Sequence, residues 1–250
     1  MPRISDDLYM GNAYGPNAAA FLGDGNPAPM EAGVGPVGRT MVYDIVPLTL
    51  QTGGLAGSQN PGSGASFVLA AGTGVTARTR ADGIIEYVLD VPRCVTLTAA
   101  GANTATYRVS GYDVYGQPMT ANLAAPSTST VATTKAFKTI VSITNINATA
   151  GTNGITAGFN DKFGLPVRVI DAGYIANVKW NNVLAADAGT LVVADVTDPA
   201  TSATTDVRGC FTPSANASNN ARRLVVTISL ASIAVGPLAT RVGAFGVTQA

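Results

Sequence analysis

Residues 135–146, KAFKTIVSITNI, indicate the fold of this chain more clearly than any other segment. They are rich in β-branched side chains, which are enriched in strands. Two sets of side chains alternate along the segment: Phe137, Thr139, Val141 and Ile143, and between them Lys138, Ile140, Ser142 and Thr144. Because successive side chains of a strand point to opposite faces, the pattern predicts one long β-strand.

Shorter runs of the same kind occur on both sides of this segment, and turn clusters separate them. Residues 107–114 and 119–124, joined by the turn 115–118 (YGQP), are predicted to form a hairpin. No long amphipathic helix is indicated. Repeated short strands with intervening turns are typical of a sandwich or barrel, so we predict an all-β fold, an antiparallel β-sandwich of jelly-roll-like type. The predicted strands are 40–50, 66–70, 84–91, 94–98, 107–114, 119–124, 155–159, 165–170, 174–180, 189–196, 207–212 and 223–232.

Residues 84–91 alternate clearly, with Ile85, Tyr87, Leu89 and Val91 on one face and Glu86 and Asp90 on the other. Pro92 is expected to interrupt the ladder because proline has no N–H to donate. Residues 51–64 are predicted to be a Gly-rich loop. Its glycines are not followed by the Lys-Ser/Thr ending of a phosphate-binding loop.

The chain divides into three predicted parts. Residues 1–39 read as an extended Gly/Pro-rich arm, residues 40–235 as the β domain with a possible second lobe at 165–235, and residues 236–250 as a tail. Large apolar side chains are spaced through the arm and are predicted to anchor it in pockets of a neighbouring subunit: Leu8, Tyr9, Tyr14, Phe21, Leu22 and Met30.

The composition points to an assembly. Charged residues make up 12 % of the chain, hydrophobic residues 46 %, and the formal net charge is zero. A neutral chain is not suited to displacing counterions from nucleic acid, and no apolar run approaches the roughly 20 residues that span a bilayer. A compact monomer with an Ala/Thr/Gly-rich surface is the alternative.

Catalytic chemistry has little support in the sequence. Histidine is absent, which removes the commonest general base, and the only glutamates are Glu31 and Glu86. The aspartates of the second half lack calcium-site spacing and are predicted to be surface turn residues: Asp187, Asp195, Asp198 and Asp206. We therefore predict a non-enzymatic chain with no catalytic, cofactor-binding or metal-binding residues.

Cys94 and Cys210 are the only cysteines, and both lie in strand-like segments. The first residues lack the layout of a signal peptide, so nothing indicates an oxidising compartment. We expect two buried thiols. Arg222 and Arg223 are expected to mark an exposed strand start or to form a salt bridge across an interface.

Three segments carry a resemblance: RCVTLT at 93–98 with YRVSGYDVYGQPMT at 107–120, KAFKTIVSI at 135–143, and DVRGCFTP at 206–213 with 222–228. Together they resemble β-rich virion structural proteins of tailed bacteriophages, particularly capsid decoration (cement) proteins. The G-x-D-x-x-G turn at 111–116 is the most characteristic part.

The resemblance implies a protein that binds between capsomers of the major capsid protein and stabilises the expanded shell. It implies a homodimer or homotrimer, located in the virion and assembled in the bacterial cytoplasm, without cofactors. Two alternatives remain open. One is a tail, baseplate or head–tail connector protein; the other is a carbohydrate-binding adhesin module, for which Tyr112, Tyr115 and Trp180 are the candidate contacts if they do not pack in a core or interface.

Overall fold

The computed structural model describes residues 39–230 except 182, 185–188 and 198. This part of the chain contains thirteen β-strands and one short 3-10 turn, so the all-β prediction is confirmed. The strands are β1 Arg39–Ile45, β2 Gln51–Gln59, β3 Val75–Thr79, β4 Ile85–Ala99, β5 Tyr107–Tyr112, β6 Pro118–Leu123, β7 Val131–Asn145, β8 Ile155–Gly164, β9 Ile175–Trp180, β10 Val183–Leu184, β11 Thr190–Val192, β12 Cys210–Thr212 and β13 Leu224–Leu230; the 3-10 turn is Ala172–Tyr174.

Nine strands form one large antiparallel sheet in the order β11-β12-β8-β4-β7-β5-β6, with β2 paired to β8 and β3 paired to β4. The sheet is strongly curled into a half-barrel. The two longest strands, β4 and β7, each have fifteen residues and lie side by side near its centre. The predicted hairpin of β5 and β6 is confirmed.

Strand β4 continues through Pro92 instead of ending there. Its first half pairs with β3 along one side, and its second half pairs with β8 along that side, beginning at Arg93. The register with β7 also shifts between Val88 and Arg93. Proline is tolerated because it lies where the ladder changes partners and its missing N–H interrupts no regular pairing.

Strand β7 contains a bulge that the alternating pattern did not predict. Ser110 pairs with Ser142 and Gly111 with Ile140, so Val141 is the extra residue. The bulge turns Ile140 and Ile143 to the same face, where both are fully buried. Gly111 is required at this site because an added Cβ would lie 2.0 Å from the carbonyl oxygen of Thr139.

Two apolar clusters form the interior. The first lies on one face of the large sheet and includes Leu97, Phe137 and Phe159. The second lies between the small sheet and the β8, β11 and β12 region, and includes Phe163 and Trp180. Strand β8 contributes side chains to both clusters, so the same strand connects them.

The small sheet has four strands in the order β1-β13-β9-β10. Strands β1 and β13 are antiparallel, and Arg39 pairs directly with Leu230. Residues 1–38 and 231–250 therefore join the described part of the chain at the same end of this sheet. The predicted arm and tail lie outside the described residues, apart from Arg39.

Three further local predictions were wrong. The Gly-rich residues 51–59 form strand β2, because glycine allows it to approach β8 closely: a Cβ on Gly158 would lie 1.9 Å from the carbonyl oxygen of Gln51. Residues 66–70 make one isolated bridge, between Ser66 and Thr144. Residues 165–170 are irregular, and their backbone N–H groups donate to carbonyls near Gly209.

Candidate functional site

A groove crosses the large sheet on the face opposite the first cluster. It consists of two adjoining depressions of about 450 and 550 Å³ that share Arg78, Val88 and Lys138. Strands β3, β4 and β7 form its floor. The end near the β5–β6 turn is polar, Leu48 lines the other end, and Val88 contributes apolar surface between them.

The polar end contains two arginines that share one buried carboxylate. The Arg78 Nε donates to Glu86 Oε2 at 3.1 Å, and the nearest Arg80 nitrogen is 3.6 Å from Glu86 Oε1. Glu86 is 3 % exposed, whereas the Arg78 side chain is 65 % exposed. Glu86 lies on the face of β4 that the alternation predicted, and this is the groove face. Arg78 of β3 and Arg80, which follows β3, cover its carboxylate from solvent.

Arg80 has two further partners. It lies 3.0 Å from Asp82 Oδ2 and donates to the hydroxyl of Tyr112 at 2.6 Å. The Asp82 carboxylate and then Tyr112 raise the pKa of Arg80 above its ordinary value. The guanidinium therefore stays charged at any physiological pH.

Lys138 supplies a third cation in the middle of the groove. Its Nζ donates to the backbone carbonyls of Leu89 at 2.6 Å and Asp90 at 2.8 Å. Burial lowers the pKa of Lys138, and the Asp90 carboxylate partly opposes this shift. The lining of the groove contains three cations, Arg78, Arg80 and Lys138, and three carboxylates, Glu86, Asp90 and Asp113, so its formal charge is balanced.

A separate buried network surrounds Arg93, which has no exposed surface. Its guanidinium lies 2.7 Å from Asp90 Oδ2 and 3.1 Å from Asp161 Oδ1, and it also donates to the carbonyl of Leu48. The hydroxyl of Ser218 donates to Asp161 at 2.6 Å. We call these groups the Arg93 network. They join β4 and β8 to Leu48, which follows β1, and to Ser218, which precedes β13.

A second buried ion pair connects two of the segments that carry the sequence resemblance. Arg208 Nη2 donates to Asp113 Oδ2 at 2.5 Å, and its guanidinium lies 4.8 Å from the centre of the Tyr115 ring. The other oxygen of Asp113 accepts the N–H groups of Tyr115 and Gln117. The aspartate of the G-x-D-x-x-G turn therefore stabilises the turn and holds it against residues 206–209.

The described aspartates of the second half have different surroundings. Asp195 accepts backbone N–H groups of Thr197 and Thr205, as predicted for a turn residue, and these hydrogen bonds lower its pKa to about 2 against the opposing effect of burial. Asp206 is buried rather than on the surface, and burial raises its pKa. Asp187 and Asp198 lie outside the described residues.

The predicted contact residues fall in different places. All six arm anchors (Leu8, Tyr9, Tyr14, Phe21, Leu22 and Met30) lie outside the described residues. Trp180 packs in the second cluster, is 1 % exposed and donates to the carbonyl of Asn216, so its ring is not a free stacking surface. Tyr112 lines the groove, and Tyr115 is 45 % exposed beside Arg208.

Both cysteines are free thiols with no exposed surface, as expected. They pack with Ala136, and Cys94 together with burial raises the pKa of Cys210. Arg223 forms an exposed pair with Asp44 within the chain, between β13 and β1.

The groove was missed in the sequence because its cations are separated along the chain. The available signal was the R-x-R spacing of Arg78 and Arg80 directly before a strand that carries Glu86. Among the described residues, no three acidic or cysteine side chains converge as metal ligands, and no helix is long and apolar enough to cross a bilayer.

Comparison with known proteins identifies no relative. No protein-family model matches this chain. Neither the curated proteins nor the solved structures include a significant match to it.

Proposed function

We propose that this chain is a non-enzymatic structural subunit of a tailed-bacteriophage particle, specifically a capsid decoration protein. It binds between capsomers of the major capsid protein as a homodimer or homotrimer and stabilises the expanded shell. We further propose that the small sheet and the part of the large sheet beneath it act as a sandwich of jelly-roll-like type.

The observation that carries the proposal is the direct pairing of Arg39 with Leu230. The 38 residues before Arg39 and the 20 residues after Leu230 therefore connect to neighbouring positions at one end of the small sheet. The six spaced anchors of residues 1–38 suit a segment that bridges neighbouring subunits. A protein that binds only the assembled shell adds its binding free energy to shell stability, and many simultaneous contacts increase the effect.

The packing of the G-x-D-x-x-G turn supports the proposal in a second way. The residues that resemble decoration proteins meet in three dimensions through Asp113 and Arg208. This ion pair holds the β5–β6 hairpin against residues 206–209. The adhesin alternative loses one of its three candidate contacts, because Trp180 is buried.

The test uses particles of the source phage assembled without this protein. Purified full-length protein is added to expanded capsids, to unexpanded capsids and to isolated tails, and bound protein is measured after sedimentation. We expect saturable binding to expanded capsids alone, with a higher temperature of capsid disruption. Failure to bind expanded capsids, together with co-purification with tails, would overturn the capsid assignment in favour of a tail, baseplate or connector protein.

A further inference from the structure

We propose that Asn153 is a site of spontaneous deamidation and that the folded chain holds the reaction in check. Asn153 is the only asparagine of the sequence that is followed directly by a glycine, Gly154. Both residues lie in the connection between β7 and β8, and Asn153 is exposed to water. The inference concerns the chemistry of this loop and does not depend on the proposed function.

The reaction is an intramolecular acyl transfer. A base removes the proton of the Gly154 N–H, and the nitrogen attacks Cγ of Asn153. A new N–C bond forms, the bond from Cγ to the side-chain nitrogen breaks, and that nitrogen takes up a proton and leaves as ammonia. Water then opens the resulting five-membered imide to aspartate or isoaspartate. Glycine favours the attack because it has no side chain to hinder the approach and its backbone adopts many conformations.

The attacking nitrogen is held in place in the folded chain. The Gly154 N–H donates to Oδ1 of Asn60, which follows β2, at 2.8 Å. The lone pair left by deprotonation lies along the former N–H bond, so it points at Asn60 and not at Cγ of Asn153. The carbonyl oxygen of the same peptide unit accepts the N–H of Ala100 at 2.9 Å. The peptide unit therefore cannot turn towards Cγ without losing both hydrogen bonds.

The side chain under attack is held by a different loop. Its Nδ2 donates to the carbonyl oxygen of Ala102 at 2.6 Å, and a Cβ added to Gly101 would lie only 3.1 Å from Cγ of Asn153. The side chain is thus fixed against residues 101–102, between β4 and β5, while the nitrogen of Gly154 faces Asn60. Ring closure requires local opening of this contact, which carries a free-energy cost.

The product of the reaction would weaken the contact that suppresses it. Three connections meet here, and other asparagines join them: Asn147 Nδ2 donates to the carbonyl of Thr104 at 3.0 Å, and Asn145 Nδ2 to that of Pro61 at 3.2 Å. Deamidation replaces a donor by a carboxylate that faces the Ala102 carbonyl, so two acceptors meet without a hydrogen between them. Isoaspartate also adds a methylene group to the main chain.

The first test compares the folded full-length chain with the same chain in guanidinium chloride, at one mildly alkaline pH and one temperature. Digestion at acid pH and mass spectrometry measure the converted fraction of residue 153 over time, because the amide and the carboxyl group differ in mass. We expect conversion in the folded chain to be about tenfold slower or more, since it requires local opening. Equal rates in the two states would overturn the proposal, and so would the absence of conversion in the unfolded chain.

A substitution at Asn60 tests the assigned cause. Asn60→Ala frees the Gly154 N–H and should raise the rate of conversion in the folded chain about threefold or more. Asn60→Asp keeps an acceptor oxygen at this position and should leave the rate close to that of the wild type. Asn147→Ala is the matched control, because it removes a hydrogen bond of the same loop that touches neither reacting group.

Equal increases in Asn60→Ala and Asn147→Ala would show that any loosening of the loop is sufficient, and the role assigned to Asn60 would be overturned. The urea midpoint of each variant confirms that the rates refer to folded chains. The comparison of folded and unfolded wild type needs no variant and stands by itself.

Discussion

Two groups of arginines use the same chemistry in opposite surroundings. Arg93 has no exposed surface, lies between Asp90 and Asp161, and is packed against the rings of Phe159 and Phe163. The groove arginine Arg78 is 65 % exposed and rests against one carboxylate. The comparison shows that a buried arginine stabilises the fold through its ion pairs, whereas an exposed arginine can also bind a partner.

The physical reason is desolvation. A buried cation has lost its water, so its carboxylates and carbonyls must replace those hydrogen bonds, and removing any of them leaves an uncompensated charge. An exposed cation loses little when a partner leaves, because water takes its place. Substitutions should therefore have large effects on stability in the Arg93 network and small effects in the groove.

The largest effect is expected for Arg93→Met, which leaves Asp90 and Asp161 facing each other without a cation. We expect a loss of about 3–5 kcal/mol in the free energy of unfolding. Urea unfolding followed by the fluorescence of Trp180, the one tryptophan, measures it. Arg108→Met is the control because Arg108 is exposed, and its midpoint should stay almost unchanged. Similar midpoints for the two variants would remove the distinction between the two groups.

The next largest effect is expected for Asp113→Ala, which removes the partner of buried Arg208 and the acceptor of two turn N–H groups. We expect a loss of about 2–4 kcal/mol. A double-mutant cycle with Arg208→Met should give a coupling energy of about 1–3 kcal/mol. Additive losses would mean that the hairpin and residues 206–209 are stabilised independently.

Asp195 should produce a smaller, pH-dependent effect. Its pKa is about 2 in the folded chain and 3.8 ordinarily, so its contribution is present above pH 4 and is lost as the pH falls towards 2. With allowance for solvent screening, Asp195→Asn should cost about 1 kcal/mol at pH 6 and almost nothing at pH 2. Urea unfolding at both pH values measures the difference.

Asp206 acts in the opposite direction, because burial raises its pKa and its contribution is lost as the pH rises through the folded value. Asp206 is present in both the wild type and the Asp195→Asn variant, so its contribution to the free energy of unfolding cancels in the comparison. Asp171→Asn is the control, since Asp171 accepts one turn N–H at an exposed position. A cost for Asp195→Asn that does not change with pH would contradict the assigned cause.

The smallest effect on stability is expected for Arg78→Gln. The Arg78 side chain is 65 % exposed, and Arg80 remains 3.6 Å from the buried Glu86, so the urea midpoint should stay close to that of the wild type. A large loss of stability would place Arg78 with Arg93, among the arginines that stabilise the fold.

Prediction of the strands succeeded where a regular pattern was sufficient. Val95 and Leu97 share the predicted face and belong to the first cluster. The prediction failed at Pro92, where β4 changes partner, at Val141, which forms a bulge, and at Gly158, where the backbone of β2 approaches closely. Each of these features is determined by the neighbouring strand. The candidate groove was not predictable, since its cations come from strands 60 residues apart along the chain.

The amino-acid sequence by itself determined the all-β class, the β5–β6 hairpin and the burial of both thiols. Alternation, turn chemistry and apolar content are local properties and act before any strand finds its partner. Only the tertiary structure decided that Glu86 is buried, that Asp113 meets Arg208, and that Arg39 pairs with Leu230. Those facts depend on which strands pair and in which register, and the free energy of burying a charge is set by neighbours distant in the chain.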